Sequence, residues 1–329
     1  YTISISKTHN LRTMLANILF LLLGLALILI GANALTDGAS AIARRWGVSD
    51  LVIGLTVVAF GTSAPELVIS IVSAINGSAE LAIGNVVGSN IFNVLVIIGI
   101  TAMVLPIKID RSIMTNEIPL VILSALALLA IGNSSMLDGN APVVSRVDGI
   151  LLLLFFMIFM RYTFSQAKTG APGDPAAESA SNIKTMPMWK AILWVVGGLA
   201  GLIYGGDRFV AGASGIASGL GVSDAVIGLT IVAAGTSLPE LATSVAAALK
   251  GKPGIALGNV IGSNIFNIFM VLGASAVIRP LPFGTIGNID LLTLTASCLL
   301  FWFCGWLIGK RTITRGEGAI MTACYIAYV

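Results

Sequence analysis

Histidine is all but missing. The only one in 329 residues, His9, sits in a polar stretch near the start. This excludes imidazole-based catalysis and imidazole-based metal sites. Cysteine is scarce as well. Cys298, Cys304 and Cys324 fall in apolar segments without paired spacing, so they read as small buried hydrophobes. Neither a disulfide frame nor a thiolate metal site is available. Charge is the third shortage: 10% of residues are charged, and the net charge of +3 does not suggest nucleic acid as a partner. What fills the chain is apolar surface, with 57% hydrophobic residues and a mean hydropathy of +0.98. Those values belong to integral membrane proteins.

A membrane span needs roughly 20 mostly apolar residues. Ten candidates are expected, near 14–34, 50–76, 80–104, 117–132, 148–164, 188–210, 223–249, 254–278, 288–308 and 318–329. The expected fold is an all-α polytopic membrane protein, with the lipid bilayer as its partner. Residues 1–13 read as a leader outside the fold. The last segment is too short to cross, so the chain is expected to stop inside its tenth helix. Residues 165–187, rich in Ala, Pro, Gly and Ser, read as a linker. The linker separates two units of five spans, 14–164 and 188–329.

Basic residues orient the chain. Thirteen of the eighteen lysines and arginines follow odd-numbered spans, among them Arg44, Arg45, Lys108, Arg111, Lys250, Lys252 and Arg311. By the positive-inside rule the odd loops and the linker are cytoplasmic and both termini lie outside.

The two units repeat at an offset of 174 residues. "VSDLVIGLTVVAFGTSAPEL" (48–67) matches "VSDAVIGLTIVAAGTSLPEL" (222–241) at sixteen of twenty positions. "GNVVGSNIFN" (84–93) matches "GNVIGSNIFN" (258–267) at nine of ten. An odd number of spans per copy means that the second copy enters the membrane inverted. The turns agree: "NGSAE" carries no basic residue, and its counterpart "KGKPG" carries two. Inverted repeats with interrupted helices mark secondary transporters, whose sites lie near the midplane.

The polar residues inside these repeats are expensive. A carboxylate at the bilayer centre costs at least roughly 2.5 kcal/mol. Glu66 and Glu240 lie equally deep in their spans, and two inverted copies embedded in Thr, Ser and Asn point to a cation. Pro65 and Pro239 each remove a backbone donor. The helices are expected to break near "GTSAP" and "GTSLP", freeing the carbonyls of Ala59 and Ala233. Ser89 and Asn93 are four apart and share a helix face, as do Ser263 and Asn267. Asn90 and Asn264 should point to backbone or a neighbouring helix. Gly84, Gly88, Gly258 and Gly262 are expected to allow close helix approach. Every candidate ligand is oxygen, the set that hard cations take. Two carboxylates balance one Ca²⁺ or about two Na⁺.

The paired "GTS-x-PE" and "GN-V-x-GSN" segments resemble the alpha-1 and alpha-2 repeats of the calcium/cation antiporter superfamily, in particular prokaryotic sodium/calcium exchangers. The resemblance implies counter-transport of Na⁺ and Ca²⁺ as substrates, with no cofactor and no catalytic residues. It implies alternating access by movement of spans 1 and 6 across a rigid core. The ion ligands it implies are Ala59, Thr62, Ser63, Glu66, Ser89 and Asn93, with Ala233, Thr236, Ser237, Glu240, Ser263 and Asn267. The cell (inner) membrane is the implied location, and no protein partner is implied. Some members carry Asp where this chain has Asn267, which argues here against K⁺ co-transport. A proton/calcium exchanger using the same glutamates is the alternative. A channel fits an inverted repeat with a closed midplane site poorly, and a membrane enzyme lacks its nucleophile or metal motif. Ser49–Asp50 and Ser223–Asp224 read as helix caps, and Asp207–Arg208 as a local ion pair.

Overall fold

A computed structural model describes residues 2–137, 139, 141–168, 186–221, 233–308 and 311–329. The helices are α1 (Thr2–Trp46), α2 (Asp50–Thr62), α3 (Ala64–Asn76), α4 (Ala79–Val104), α5 (Ile113–Gly132), α6 (Arg146–Lys168), α7 (Met188–Gly219), α8 (Leu238–Leu249), α9 (Pro253–Ile278), α10 (Asn288–Trp306) and α11 (Arg315–Tyr328). Seven are long and apolar enough to cross a membrane, and the α2–α3 pair, bent by 48°, makes an eighth. The chain is thus an all-α membrane protein.

Two of the ten expected spans are too short to cross a membrane among the described residues, the tenth as expected. α8 has 12 residues, because most of the segment before it, 222–232, lies outside the described set. α11 has 14. Ser223 and Asp224, expected as a cap, also lie outside the described residues. So does most of the 165–187 linker.

The distribution of residue types is the reverse of a soluble protein's. Leu19, Ile30, Val68, Leu81, Met157 and Ile158 are exposed, while Glu66, Ser70, Asn90, Glu240, Asn259 and Asn267 are buried. Apolar residues face outward because lipid is their solvent, and polar ones pair internally because lipid offers them no partner. Cys324 departs from the expectation of three buried thiols. It sits on the outer face of α11 and is exposed, whereas Cys298 and Cys304 are buried.

Two layers result. The central α4 and α9 are the most enclosed spans, with 83% and 78% of their apolar windows buried, against 17% for α1 and 28% for α7. α1 and α7 pack together through Ile28, Ala32, Leu35, Ala39, Val195 and Leu202, a cluster that extends to Ile53 and Val58 of α2, Ala247 and Ala248 of α8, and Ile255 and Ala256 of α9. α1 and α7 run antiparallel, backbone against backbone. A Cβ added at Gly31 would lie 2.7 Å from Gly198 O, and one at Gly24 2.4 Å from Phe209 N. Gly24 and Gly31 correspond, at the repeat offset, to Gly198 and Gly205. Each copy's glycines therefore meet the other's, and small residues at a seam are what let membrane helices touch.

Two short antiparallel bridges, which nothing in the sequence announces, tie the units together. Ile107–Lys108 pairs with Thr312–Ile313, and Val143–Val144 pairs with Leu281–Pro282. At one end of the α1/α7 layer, Lys250 Nζ reaches Asp37 Oδ1 at 2.6 Å and the Asn33 carbonyl at 2.9 Å. Lys252 pairs with Asp50 at 3.2 Å. The cap of α2 is therefore Ser49, whose hydroxyl accepts from Val52 N–H, and Asp50 serves the ion pair instead. The Asp207–Arg208 pair is present at 2.5 Å.

Candidate cation site

The site sits where two broken helices meet two continuous ones. Each break falls on a serine: Ser63 has φ −87°, ψ 8° and Ser237 has φ −91°, ψ 5°. These values lie in the sparsely populated bridge region. The cause is local. Pro65 and Pro239 occupy the first turns of α3 and α8, so the chain cannot carry the preceding helix through. Glu66 and Glu240 then stand in the first turn of the new helix, at its positive dipole end.

One expectation needs correcting. The break does not free the Ala59 carbonyl, which accepts from Ser63 N–H at 3.0 Å, with the Thr62 hydroxyl 3.4 Å away. Proline lacks the N–H that would have served the carbonyl four residues back, so the bond lost is Gly61's. Ala59 keeps only its second lone pair for any ligand. Ala233 opens the short helical turn Ala233–Gly235 before the second break.

The continuous helices α4 and α9 supply the rest. Asn93 begins a wide π-helical turn, 93–97, and Asn267 lies in another, Phe266–Leu272. Such turns re-aim side chains and recur at functional sites. Thr62, Ser63, Glu66, Ser89, Asn93, Ser237, Glu240, Ser263 and Asn267 are all buried, and Thr236 is half-buried.

Contacts between the copies draw them together. The Ser63 hydroxyl donates to Glu240 Oε1 at 3.0 Å and sits 2.8 Å from the Ser263 hydroxyl. Asn93 Nδ2 donates to Asn264 Oδ1 at 3.1 Å, and Asn267 Nδ2 to Asn90 Oδ1 at 3.0 Å. Asn90 Nδ2 donates to the Asn264 carbonyl at 3.1 Å, the backbone role expected of it. Of the four glycines expected to allow close helix approach, Gly84 and Gly88 do not: a Cβ would meet Ile286 Cδ1 at 3.4 Å at the first and nothing within 4 Å at the second. Gly258 and Gly262 do. A Cβ there would meet Leu51 O at 2.7 Å and Ala59 Cβ at 2.7 Å respectively.

Two residues of the site were not foreseen. Asn85 Nδ2 donates to the Glu66 carbonyl at 3.3 Å and to Ser70 Oγ at 3.0 Å. Asn259 Nδ2 does the same for the Glu240 carbonyl at 3.2 Å and Ser244 Oγ at 3.0 Å. Asn259 Oδ1 also accepts from the Thr62 hydroxyl at 3.0 Å, which straps the first copy's break to the second copy's helix. The signal was present in the spacing. Residues 85, 89 and 93 share one face, as do 259, 263 and 267, one turn beyond the pair already singled out. Asn259→Ala deletes two donated bonds and leaves the Thr62 hydroxyl only its long contact with the Ala59 carbonyl. It is expected to cost about 1–3 kcal/mol of stability. The readout is a lower melting temperature of the detergent-purified protein. An unchanged value would mean that this strap does not hold the break.

The unpaired atoms define what the site can hold. Glu66 Oε1 and Oε2, Glu240 Oε2, Asn93 Oδ1, Asn267 Oδ1 and the Ser237 hydroxyl are buried, and no donor satisfies them. Five of the six can only accept, and each buried unsatisfied group costs about 1–3 kcal/mol. Together they rival the roughly 5–15 kcal/mol that holds a whole domain folded. Protein donors are not the remedy here; a hard cation, which wants many oxygens at once, is. No cluster of three or more His, Cys, Asp or Glu exists among the described residues, so softer metals find no ligand set.

A polytopic membrane protein with paired broken helices and an oxygen-only buried site belongs to the cation antiporters, and it is not an enzyme. The comparisons agree. The model of the sodium/calcium exchanger protein family matches residues 16–165 and 190–329. The chain is 40% identical to CaxA of Alkalimonas amylolytica, named as a candidate antiporter, over 96% of this chain and 98% of that one. It is 34% identical to the sodium/calcium exchanger MaX1 of Methanosarcina acetivorans, over 95% and 97%. Among solved structures, the sodium-calcium exchanger NCX_Mj, soaked with Na⁺ and Ca²⁺, matches with TM-score 0.79 and 34% identity, covering 94% of this chain and 96% of that one. The chain belongs to the sodium/calcium exchanger family.

Proposed function

We propose that the protein exchanges Na⁺ for Ca²⁺ across a cell membrane by alternating access. The observation that carries this is the set of buried, donor-less oxygens around Glu66 and Glu240. Thr62, Ser63, Ser89, Asn93, Thr236, Ser237, Ser263 and Asn267, with the Ala59 and Ala233 carbonyls, complete the ligand set. A proton needs only a carboxylate, whereas Na⁺ needs a shell of neutral oxygens as well. The hydroxyls and amides here supply that shell and favour Na⁺ as counter-ion.

Charge balance gives the exchange rule. Two buried carboxylates carry two negative charges, balanced by one Ca²⁺ or about two Na⁺. Crossing without a load and with both carboxylates ionised leaves both charges uncompensated, at a cost on the order of several kcal/mol per ion. Since 1.4 kcal/mol is tenfold, an empty crossing is suppressed by roughly a thousandfold or more. Either load permits the step and an empty site does not, which is the condition for coupled exchange.

The proposed frame is ten spans in two inverted units, 14–164 and 188–329. The α1/α7 layer shifts against the core that contains α4 and α9. The low enclosure of α1 and α7 beside α4 and α9, and the antiparallel glycine seam that joins α1 to α7, support this. The linker is placed in the cytoplasm and the termini outside. The inner membrane protein YrbG of Escherichia coli, 33% identical over 94% of each chain, supports the inner membrane.

The test is ⁴⁵Ca²⁺ uptake into proteoliposomes loaded with Na⁺, with K⁺, or with choline under an imposed pH gradient. Uptake driven by the outward Na⁺ gradient alone is expected. Uptake driven by an outward proton gradient and indifferent to Na⁺ would overturn the counter-ion and leave both glutamates in place.

A further inference from the structure

The hydrogen bonds among four asparagines fix an orientation that the ligand set does not fix by itself. An asparagine amide can present either its oxygen or its NH₂ to a site, and only the oxygen serves a cation. The Asn264 main-chain carbonyl can only accept. Asn90, 3.1 Å from it, must therefore turn its NH₂ toward that carbonyl. Asn90 Oδ1 then faces Asn267 at 3.0 Å, and Asn267 must answer with its own NH₂. Its oxygen is left pointing the other way, buried and without a donor, on the helix face that Asn267 shares with Ser263, whose hydroxyl meets the Ser63 that serves Glu240. Each step follows from which atoms can donate. The chain of constraint begins at one backbone carbonyl of the second copy, passes through a side chain of the first and ends on a ligand of the second.

We infer that Asn90 is a positioning residue for cation binding, acting by holding the Asn267 amide with its oxygen toward the ion. This rests on the reading of Asn267 as a ligand. Asn90 does not itself touch the ion: its NH₂ is committed to the Asn264 carbonyl and its oxygen to Asn267. The same geometry explains why an amide suits position 267. An ionised carboxylate there would set oxygen against Asn90 Oδ1, and Asn90 cannot turn to offer its NH₂ without giving up the Asn264 carbonyl.

The test is a double-mutant cycle on Ca²⁺ transport in proteoliposomes, reading KM and kcat separately. Asn90→Ala removes the acceptor that orients Asn267, and is expected to raise KM for Ca²⁺ about tenfold, the scale of one lost hydrogen bond to a buried group. In an Asn267→Ala background the same change should move KM by less than about twofold, because the oxygen it orients is gone. An equal rise in both backgrounds, or a fall in kcat at unchanged KM, would make Asn90 merely structural and overturn the inference. If Asn267→Ala alone leaves KM unchanged, the ligand reading fails first, and that result is distinguishable from Asn90→Ala alone being silent. Should Asn90→Ala not fold, Asn90→Asp decides. As a neutral acid it can donate its O–H to the Asn264 carbonyl and still accept from the Asn267 NH₂, so KM should stay near the wild-type value at a pH that keeps it protonated. A KM raised as far as in Asn267→Ala would sink the proposal.

Discussion

Glu66→Gln is expected to abolish Ca²⁺ exchange while leaving the protein as stable as before. The two halves of that result have separate causes. Gln has the shape of Glu, and the neighbouring Thr236 and Ser89 hydroxyls can serve the Gln oxygen as they can serve the carboxylate, so the substitution removes no contact that holds the fold. What it removes is one of two buried negative charges. Ca²⁺ beside Glu240 alone leaves a net positive charge in a dry site, at a cost on the order of several kcal/mol. By the tenfold-per-1.4 kcal/mol rule that is roughly a thousandfold or more in affinity, enough to silence transport at any ordinary Ca²⁺ concentration. Glu240→Gln should fail in transport equally, although Glu240 Oε1 accepts from Ser63, a bond the Gln oxygen can keep. The paired readout is ⁴⁵Ca²⁺ flux against melting temperature. Normal flux in Glu66→Gln would remove Glu66 from the site. Lost flux together with a large fall in melting temperature would make it a structural carboxylate.

How much of this could be read from the sequence depended on what had to be paired. Glu66, Glu240, the break serines and Asn93/Asn267 were legible because each is a chemical anomaly: a costly group at membrane depth, repeated in register. Proline chemistry located the breaks, because a missing N–H acts within one turn. It misjudged which carbonyl is released, because Ser63 still closes the turn onto Ala59. Asn85 and Asn259 carried a signal in their spacing, one turn before Ser89 and Ser263, but the strap from Thr62 to Asn259 joins the two copies and appears only in the fold. The two-residue bridges joining the units have no periodicity to detect. Cys324 shows the limit of hydropathy: it says that a residue lies in a membrane segment, not whether it faces protein or lipid.

The second large effect concerns backbone contact. Gly254, Gly258 and Gly262 form a seam along α9, and α2 lies directly on it. A Cβ at Gly258 would fall 2.7 Å from Leu51 O, 2.9 Å from Gly54 Cα and 2.9 Å from Leu55 N, all main-chain atoms that cannot rotate away. α2 would have to retreat as a body. α2 ends at Thr62 and hands on to Ser63, so the retreat carries away the hydroxyls that reach Asn259, Glu240 and Ser263. Adding even a few methylenes to a packed interior costs about 1–3 kcal/mol. Ligand geometry tolerates only about 0.5 Å of error. Gly258→Leu is therefore expected to abolish Ca²⁺ transport and to lower the melting temperature. Gly258→Ala should give an intermediate loss. Gly316→Ala on α11, where a Cβ meets nothing within 4 Å, should behave as the wild type. All three variants are read by ⁴⁵Ca²⁺ flux and thermal unfolding of the same preparation. A Gly258→Leu protein that transports Ca²⁺ with an unchanged KM would mean that α2 does not hold the site against α9. The first half of the ligand set would then be positioned by α3 and α4 alone.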